Sequence, residues 1–337
     1  MARWLWLKLL VLIGLFAFSG GREIKIKYED DAPLYNRTLA KILVEYASAA
    51  YVTDLMTLFT WTCSRCNDLT KAFVGIAHDL NSIIIAFRGT TETSIRNWIA
   101  DLFWKQLDLS YPGAEDAMVH HGFYSAYHNT SLQHGILSAV QRTRELHGNL
   151  HIIVTGHSLG GALASFCALD LTVNHGVELV QLMTFGQPRI GNAAFASYFS
   201  KFVPDAVRVT HENDIVPHLP PYYSYFPKKS YHHFPREVWL HDIKVDGVED
   251  KGEKICDDSG EDPSCCRSIH GTSIRDHLKY YGVELRADTR ESCRILVDSS
   301  VLQYDVGYSG DILSRDRTAP SHLKLSSPSD TASSSKR

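Results

Sequence analysis

Leu150-His-Ile-Ile-Val-Thr155, Gly156-His-Ser-Leu-Gly160 and Gly161-Ala-Leu-Ala-Ser-Phe-Cys-Ala-Leu-Asp170 follow one another without a break. The first is a short β-branched run that reads as a buried strand, and the last is rich in helix formers. Between them, glycines bracket Ser158, so strand, sharp turn and helix supply the context of a G-x-S-x-G nucleophile elbow. The turn is tight enough that a Cβ at 156 or 160 would collide with the adjoining strand or helix, and Ser158 is expected in a strained backbone conformation. Its hydroxyl would stand at a helix N-terminus, where free N–H groups and the macrodipole favour a developing negative charge.

A serine hydroxyl is a weak nucleophile until a base takes its proton, and in this arrangement an acid and then a histidine follow in chain order. Downstream, Ala206-Val-Arg-Val-Thr210 reads as another strand, and His211-Glu-Asn-Asp214-Ile-Val-Pro217 places Asp214 just past its end, at the functional edge of an open α/β sheet. Glu212 competes for the role, but Ile215-Val216-Pro217 would bury the surroundings of Asp214, as a triad carboxylate needs. For the base, the segment Ser273-Ile-Arg-Asp-His277-Leu-Lys-Tyr-Tyr281 offers His277 on a late loop. The other histidines after Asp214 are His218, His232, His233, His241, His270 and His322, and most of the 17 in the chain must be structural or exposed. His120-His121 and His232-His233 lack an acidic or cysteine partner at ligand spacing, so no metal is expected, nor any cofactor.

An acyl-transfer intermediate needs two donors for its oxyanion, one from the residue after the nucleophile and one from an early strand-end loop. These are Leu159 and, after the apolar strand Ser82-Ile-Ile-Ile-Ala-Phe87, Thr90 of Arg88-Gly89-Thr90. Next, Ile95, Trp98, Ile99 and Leu102 recur at helical i, i+3, i+4, i+7 spacing, with Arg96, Asn97 and Asp101 on the opposite face. Periodicity alone describes an ordinary surface helix packed on the core. Its place beside the oxyanion loop also fits a lid that covers an acyl pocket in water and turns its apolar face to a lipid surface.

The 337 residues could make two domains or one large α/β domain with extensions. With 44% apolar and 21% charged residues the chain can bury a sizeable core, and a net charge of -4 provides no basic field for nucleic acid. Residues 1–21 combine a basic start, a short apolar run and small residues. This is the pattern of a secretory signal peptide and falls short of the ~20 residues of a membrane span. The expected destination is the secretory pathway, secreted or extracellular, with the ER lumen or vacuole as alternatives, and no integral span once the signal is removed. Export would make Asn36 and Asn129, each in an N-x-S/T sequon, candidate glycosylation sites. From about 314 the chain is dominated by Ser, Thr, Lys, Arg and Pro and is expected to be disordered. Of seven cysteines, Cys63 and Cys66 read as a disulfide candidate in an exported protein or as a redox pair in the cytosol, whereas Cys167 lies in an apolar helical stretch as a buried thiol.

The order of segments from Tyr51 to Gly282 resembles that of the class 3 lipases, the family of fungal triacylglycerol lipases and their plant relatives. It is carried by Trp61-Thr-Cys-Ser-Arg-Cys66, Phe87-Arg-Gly-Thr90, Ile95-Arg-Asn-Trp-Ile-Ala-Asp101, Val119-His-His-Gly-Phe123, Gly156-His-Ser-Leu-Gly160, Gly186-Gln-Pro-Arg-Ile-Gly-Asn192, Asp214-Ile-Val-Pro-His-Leu-Pro-Pro221 and Asp276-His277. The resemblance implies an α/β-hydrolase fold, with a predominantly parallel central sheet, helices on both faces and a short helical lid, over residues 30–294, and an extension over 295–337. It implies a triad of Ser158, Asp214 and His277, an oxyanion hole at Thr90 and Leu159, a lid over Ile95 to Asp101, and disulfides Cys63–Cys66 and Cys256–Cys265. Cys293 matches half of a third family bridge whose early position, near Val52, is not cysteine here. Cys266 and Cys293 are then paired together or free. The expected reaction is hydrolysis of acylglycerol esters during transient contact with a lipid interface. Alternatives are a phospholipase A1, a galactolipase, a feruloyl-type esterase, or a non-catalytic lipase-like scaffold.

Overall fold

A computed structural model describes residues 35–51, 72–100, 102, 105–222, 230–245, 248–286, 312–315 and 323–326. In chain order the principal elements are α1 (Arg37–Ala49), β1 (Ala72–Ala77), β2 (Ser82–Phe87), α2 (Glu92–Ala100), β3 (Gln106–Asp108), β4 (Met118–His120), α3 (His121–His128), α4 (Ser131–His147), β5 (His151–His157), α5 (Leu159–Val173) and β6 (Val180–Phe185). There follow α6 (Ala193–Phe202), β7 (Ala206–His211), β8 (Glu237–Val245), β9 (Val248–Ile255), α7 (Ile274–His277), β10 (Lys279–Tyr280), β11 (Val283–Glu284), β12 (Ile312–Arg315) and β13 (Leu323–Ser326). Seven strands form the main sheet in the order β1-β2-β5-β6-β7-β8-β9. The five from β2 to β8 run parallel, and β1 and β9 close the two edges antiparallel.

Parallel strands are buried on both faces, which explains why β2 and β5 read as near-continuous apolar runs. Successive side chains serve different cores. Ile83, Ile85, Phe87, Ile152 and Val154 pack under α3 to α6, whereas Ile84, Ala86 and Ile153 pack with α1 and the Tyr280–Leu285 region. Helix α5 is buried from Leu159 to Leu171, all but its last two residues, as expected of a helix that is apolar on nearly every side. Each large apolar side chain it buries contributes about 1.5–3 kcal/mol. Asparagine and threonine caps fix where the outer helices begin: Asn36 accepts from Leu39 N, Thr130 from Leu132 N and Asn192 from Phe195 N.

The segment expected to be disordered from about 314 contains an antiparallel strand pair that composition did not predict, with Leu313 opposite Leu325 and Arg315 opposite Leu323. The alternation Leu323-Lys324-Leu325-Ser326 is a strand pattern, and it is hidden in a count by the Ser, Lys and Pro around it. The signal segment 1–21, Cys63, Cys66 and Cys293 lie outside the described residues.

Candidate active site

Ser158 ends β5 and opens α5, with φ 59° and ψ -129°. Non-glycine residues rarely occupy positive φ, and such a conformation costs about 1–3 kcal/mol. The surroundings hold it there. Ser158 N–H donates to Phe185 O on β6 at 2.9 Å. A Cβ on Gly156 would overlap Gly160 O, and one on Gly160 would overlap Phe87 O at the end of β2, so the glycines expected from the sequence are those that the turn requires.

At the end of β7, Asp214 occupies a turn that bridges to Ser273, just before α7. His277 Nδ1 approaches Asp214 Oδ2 at 2.9 Å and Oδ1 at 3.0 Å. Two further donors orient the carboxylate: Val216 N–H to Oδ1 at 2.8 Å and the Tyr280 hydroxyl to Oδ2 at 2.5 Å. Burial, and then the neighbouring Asp214 charge, push Tyr280 well above the ordinary phenol range, so it stays a proton donor. Asp214 and His277 are only 2% and 0% exposed. Of the two acidic residues weighed from the sequence, Asp214 is the one in contact with His277; Glu212 sits in a turn at φ 39°, with its N–H on Leu240 O. Gly186, at φ +56°, lies so close that an added Cβ would reach Asp214 Oδ2, Tyr280 Oη and His277 Nδ1 within about 3 Å.

His157, inside the elbow itself, ties the strand end that carries Ser158 to His277. Its Nε2 is 2.7 Å from the His277 carbonyl, which can only accept, so Nε2 carries the proton. Burial and the adjacent His277 hold His157 well below the ordinary histidine range, leaving Nδ1 to accept from the Tyr51 hydroxyl at 2.7 Å. The donor and acceptor capacity of the His157 ring is thereby spent on structure.

Among the described residues, the buried side-chain atoms without a hydrogen bond include Ser158 Oγ, His277 Nε2 and Thr90 Oγ1, all at this sheet edge. Buried polar groups are normally paired, and these are the atoms that a nucleophile, its base and an oxyanion donor would keep open. The Arg88-Gly89-Thr90 turn rests on the elbow, since a Cβ on Gly89 would overlap His157 O and come 3.0 Å from Ser158 Cβ. Leu159 is the first residue of α5, and its N–H has no acceptor within the helix. Helix α2 begins three residues before Ile95. Its apolar face is turned inward, with Ile95 1% exposed and Trp98 stacked on Phe123 at 6.1 Å between centroids.

The family model described as Lipase (class 3) matches residues 84–224. A lipase of Rhizomucor miehei is 34% identical over 291 residues, covering 81% of this chain and 74% of the relative. The chain belongs to the class 3 lipases. A Caenorhabditis elegans lipase is 29% identical over 298 residues, 74% of this chain and 80% of that protein. Among solved structures, the triacylglyceride lipase of Rhizomucor miehei superposes with a TM-score of 0.60 at 31% identity, over 75% of this chain and 98% of its own. This class 3 lipase thus has the α/β-hydrolase fold and is a carboxylic-ester hydrolase.

Outside the centre of the site, Cys256 and Cys265 form a disulfide, and Cys167 and Cys266 are buried free thiols. The histidine pairs serve the backbone: His120 Nδ1 accepts from Gly122 N–H and Phe123 N–H at the start of α3, and His233 Nε2 donates to Pro217 O. Sequence reading missed Tyr280, His157 and Gly186 as shapers of the site. Tyr280 had a usable signal, since it follows His277 by three residues, but its partner lies 66 residues away.

Proposed function

We propose that this class 3 lipase hydrolyses acylglycerol esters through an acyl-enzyme on Ser158. The supporting observation is the chain of contacts from Tyr280 through Asp214 to His277, ending at an unpartnered Nε2 on the sheet edge that also carries the strained, unpartnered Ser158. His277 Nε2 takes the Ser158 proton as Oγ attacks the ester carbonyl carbon, and the oxyanion is received by Leu159 N–H and Thr90. As the carbon–oxygen bond breaks, His277 returns the proton to the departing alcohol. A water molecule, deprotonated by His277, then releases the fatty acid and regenerates Ser158. The Ser158 to His277 bond is not formed in the resting site, and such bonds commonly tighten only in the substrate complex.

Acylglycerol is favoured among esters by the inward apolar face of α2, in which Ile95, Trp98 and Ile99 form a lid that would open against a lipid surface. The similarity to the triacylglyceride lipase of Rhizomucor miehei supports the same choice. Export is part of the same reading, with residues 1–21 as signal peptide and with Asn36 and Asn129, both exposed, as sites open to glycosylation. No helix among the described residues is long and apolar enough to cross a membrane. Ser158→Ala tests the proposal: it is expected to abolish turnover of emulsified triglyceride and labelling by a fluorophosphonate. Full activity in that variant would refute the mechanism. A panel of micellar and monomeric esters, including phospholipid, galactolipid and feruloyl substrates, would assign the head group.

A further inference from the structure

Four consecutive carbonyls follow the turn that carries Asp214, and all four are engaged by two donors' residues. Arg189, in the loop after β6, gives its backbone N–H to Leu219 O at 2.7 Å. Its Nη1 donates to His218 O at 2.8 Å and to Pro220 O at 3.0 Å. The fourth carbonyl, Pro217 O, accepts from His233 Nε2 at 2.9 Å.

Both donors converge on one carboxylate. Arg189 Nε and Nη2 form a fork on Glu261 Oε1 and Oε2 at 2.7 and 2.8 Å, and His233 N–H donates to Glu261 Oε1 at 3.0 Å. Arg189 and Glu261 are 3% and 4% exposed. Burial would raise the Glu261 carboxyl, but the Arg189 charge and fork outweigh it and hold Glu261 below the ordinary glutamate range. Glu261 itself is presented by the loop that the Cys256–Cys265 disulfide closes, and Arg267 Nη1 grips its carbonyl at 2.7 Å.

A buried ion pair is a poor device for stability alone, because desolvating two charges offsets much of their attraction. What this pair does add is direction. The planar guanidinium can meet a carboxylate and two carbonyls at once only if it is held in one orientation, and the carbonyls it meets belong to the loop that begins at Asp214.

We propose that Glu261 is a positioning residue for the catalytic acid. It aims Arg189 and His233 at residues 217–220, and so holds Asp214 where His277 meets it. This inference rests on the triad reading above.

The test uses the full-length enzyme with Glu261→Gln, which keeps the shape and removes the charge, and Arg189→Lys, which keeps the charge and removes the fork. Both are compared below their own melting temperatures. The expected result is a fall in kcat of about tenfold to a hundredfold on a soluble short-chain ester, with KM little changed, slower fluorophosphonate labelling of Ser158, and faster hydrogen exchange at the amides of Val216, His218 and Leu219. Glu261→Asp, which restores a carboxylate, should recover part of the loss. Folded Glu261→Gln and Arg189→Lys enzymes with wild-type kcat would overturn the proposal, as would unchanged hydrogen exchange at those three amides in both. If wild-type enzyme neither turned over esters nor labelled at Ser158, the triad reading would fail, while the exchange measurement would still decide whether Glu261 holds the loop.

Discussion

Tyr280 donates to the same Asp214 oxygen that His277 Nδ1 approaches, Oδ2, at 2.5 Å against 2.9 Å. Asp214 Oδ2 thus meets both groups while Oδ1 takes the Val216 N–H, and the carboxylate cannot rotate about its Cβ–Cγ bond without losing a partner. A buried phenol next to a carboxylate is a charge-assisted donor, of a kind that contributes about 1.5–3 kcal/mol.

Tyr280→Phe is accordingly expected to lower both stability and turnover. The buried Asp214 oxygen would lose a donor, costing about 1–3 kcal/mol, and kcat should fall by about tenfold while KM for a soluble ester holds. Thermal melting and steady-state kinetics on the same preparation check this, and a variant with wild-type values in both would contradict it.

The proposed lid leads to a different expectation. Trp98 stacks on Phe123 with planes 22° apart, and aromatic contacts of this kind contribute about 0.5–1.5 kcal/mol beyond area burial. Trp98→Ala should shift the closed to open ratio by roughly two- to tenfold toward open. Activity on a monomeric ester should then rise, and the jump in rate on passing the substrate's solubility limit should shrink. An undiminished jump would show that Trp98 does not hold the closed form.

Stability should decline on mild acidification. Burial, followed by neighbouring charge, holds His157 and His233 well below the ordinary value of 6.5, so in the folded protein both remain neutral. In the unfolded chain they take up protons as pH falls through about 6.5, the unfolded state then binds more protons, and stability is lost toward lower pH. The slope approaches about 1.4 kcal/mol per pH unit for each residue that stays neutral. Glu261, whose folded value is depressed, acts lower: its contribution is complete above its unfolded value and disappears as pH falls through the folded one. Melting temperatures measured from pH 8 to 4 should fall first below about 6.5, and a flat profile between 7.5 and 5 would exclude the buried neutral histidines as the cause.

The elements that lie close in sequence could be read directly. Gly156, Ser158 and Gly160 specify their own turn, because the constraint is steric and acts within five residues. That Asp214 rather than Glu212 lies against His277 follows a signal in the chain, since Ile215 and Val216 announce a buried turn and His277 follows on a late loop. Contacts that depend on strand order could not be read in the same way. Glu261 meets Arg189 across 72 residues, and nothing near either residue marks the other. Nothing within the elbow marks the contacts of His157, whose ring is hydrogen-bonded between Tyr51 and the His277 backbone. The free state of Cys266 beside the bonded Cys265 was equally hidden, since spacing permits either thiol to reach Cys256.

The bond from His157 Nε2 to the His277 carbonyl changes what kind of object the base is. His277 arrives on a short helical turn near the end of the described domain, a place where mobility is the ordinary expectation. Here its backbone is tied instead to His157, at the end of the central strand β5 and next to Ser158. On the proposed mechanism, a lid could then open over Ser158 and His277 without changing the register between them, because that register is fixed by the sheet and not by the loops above it.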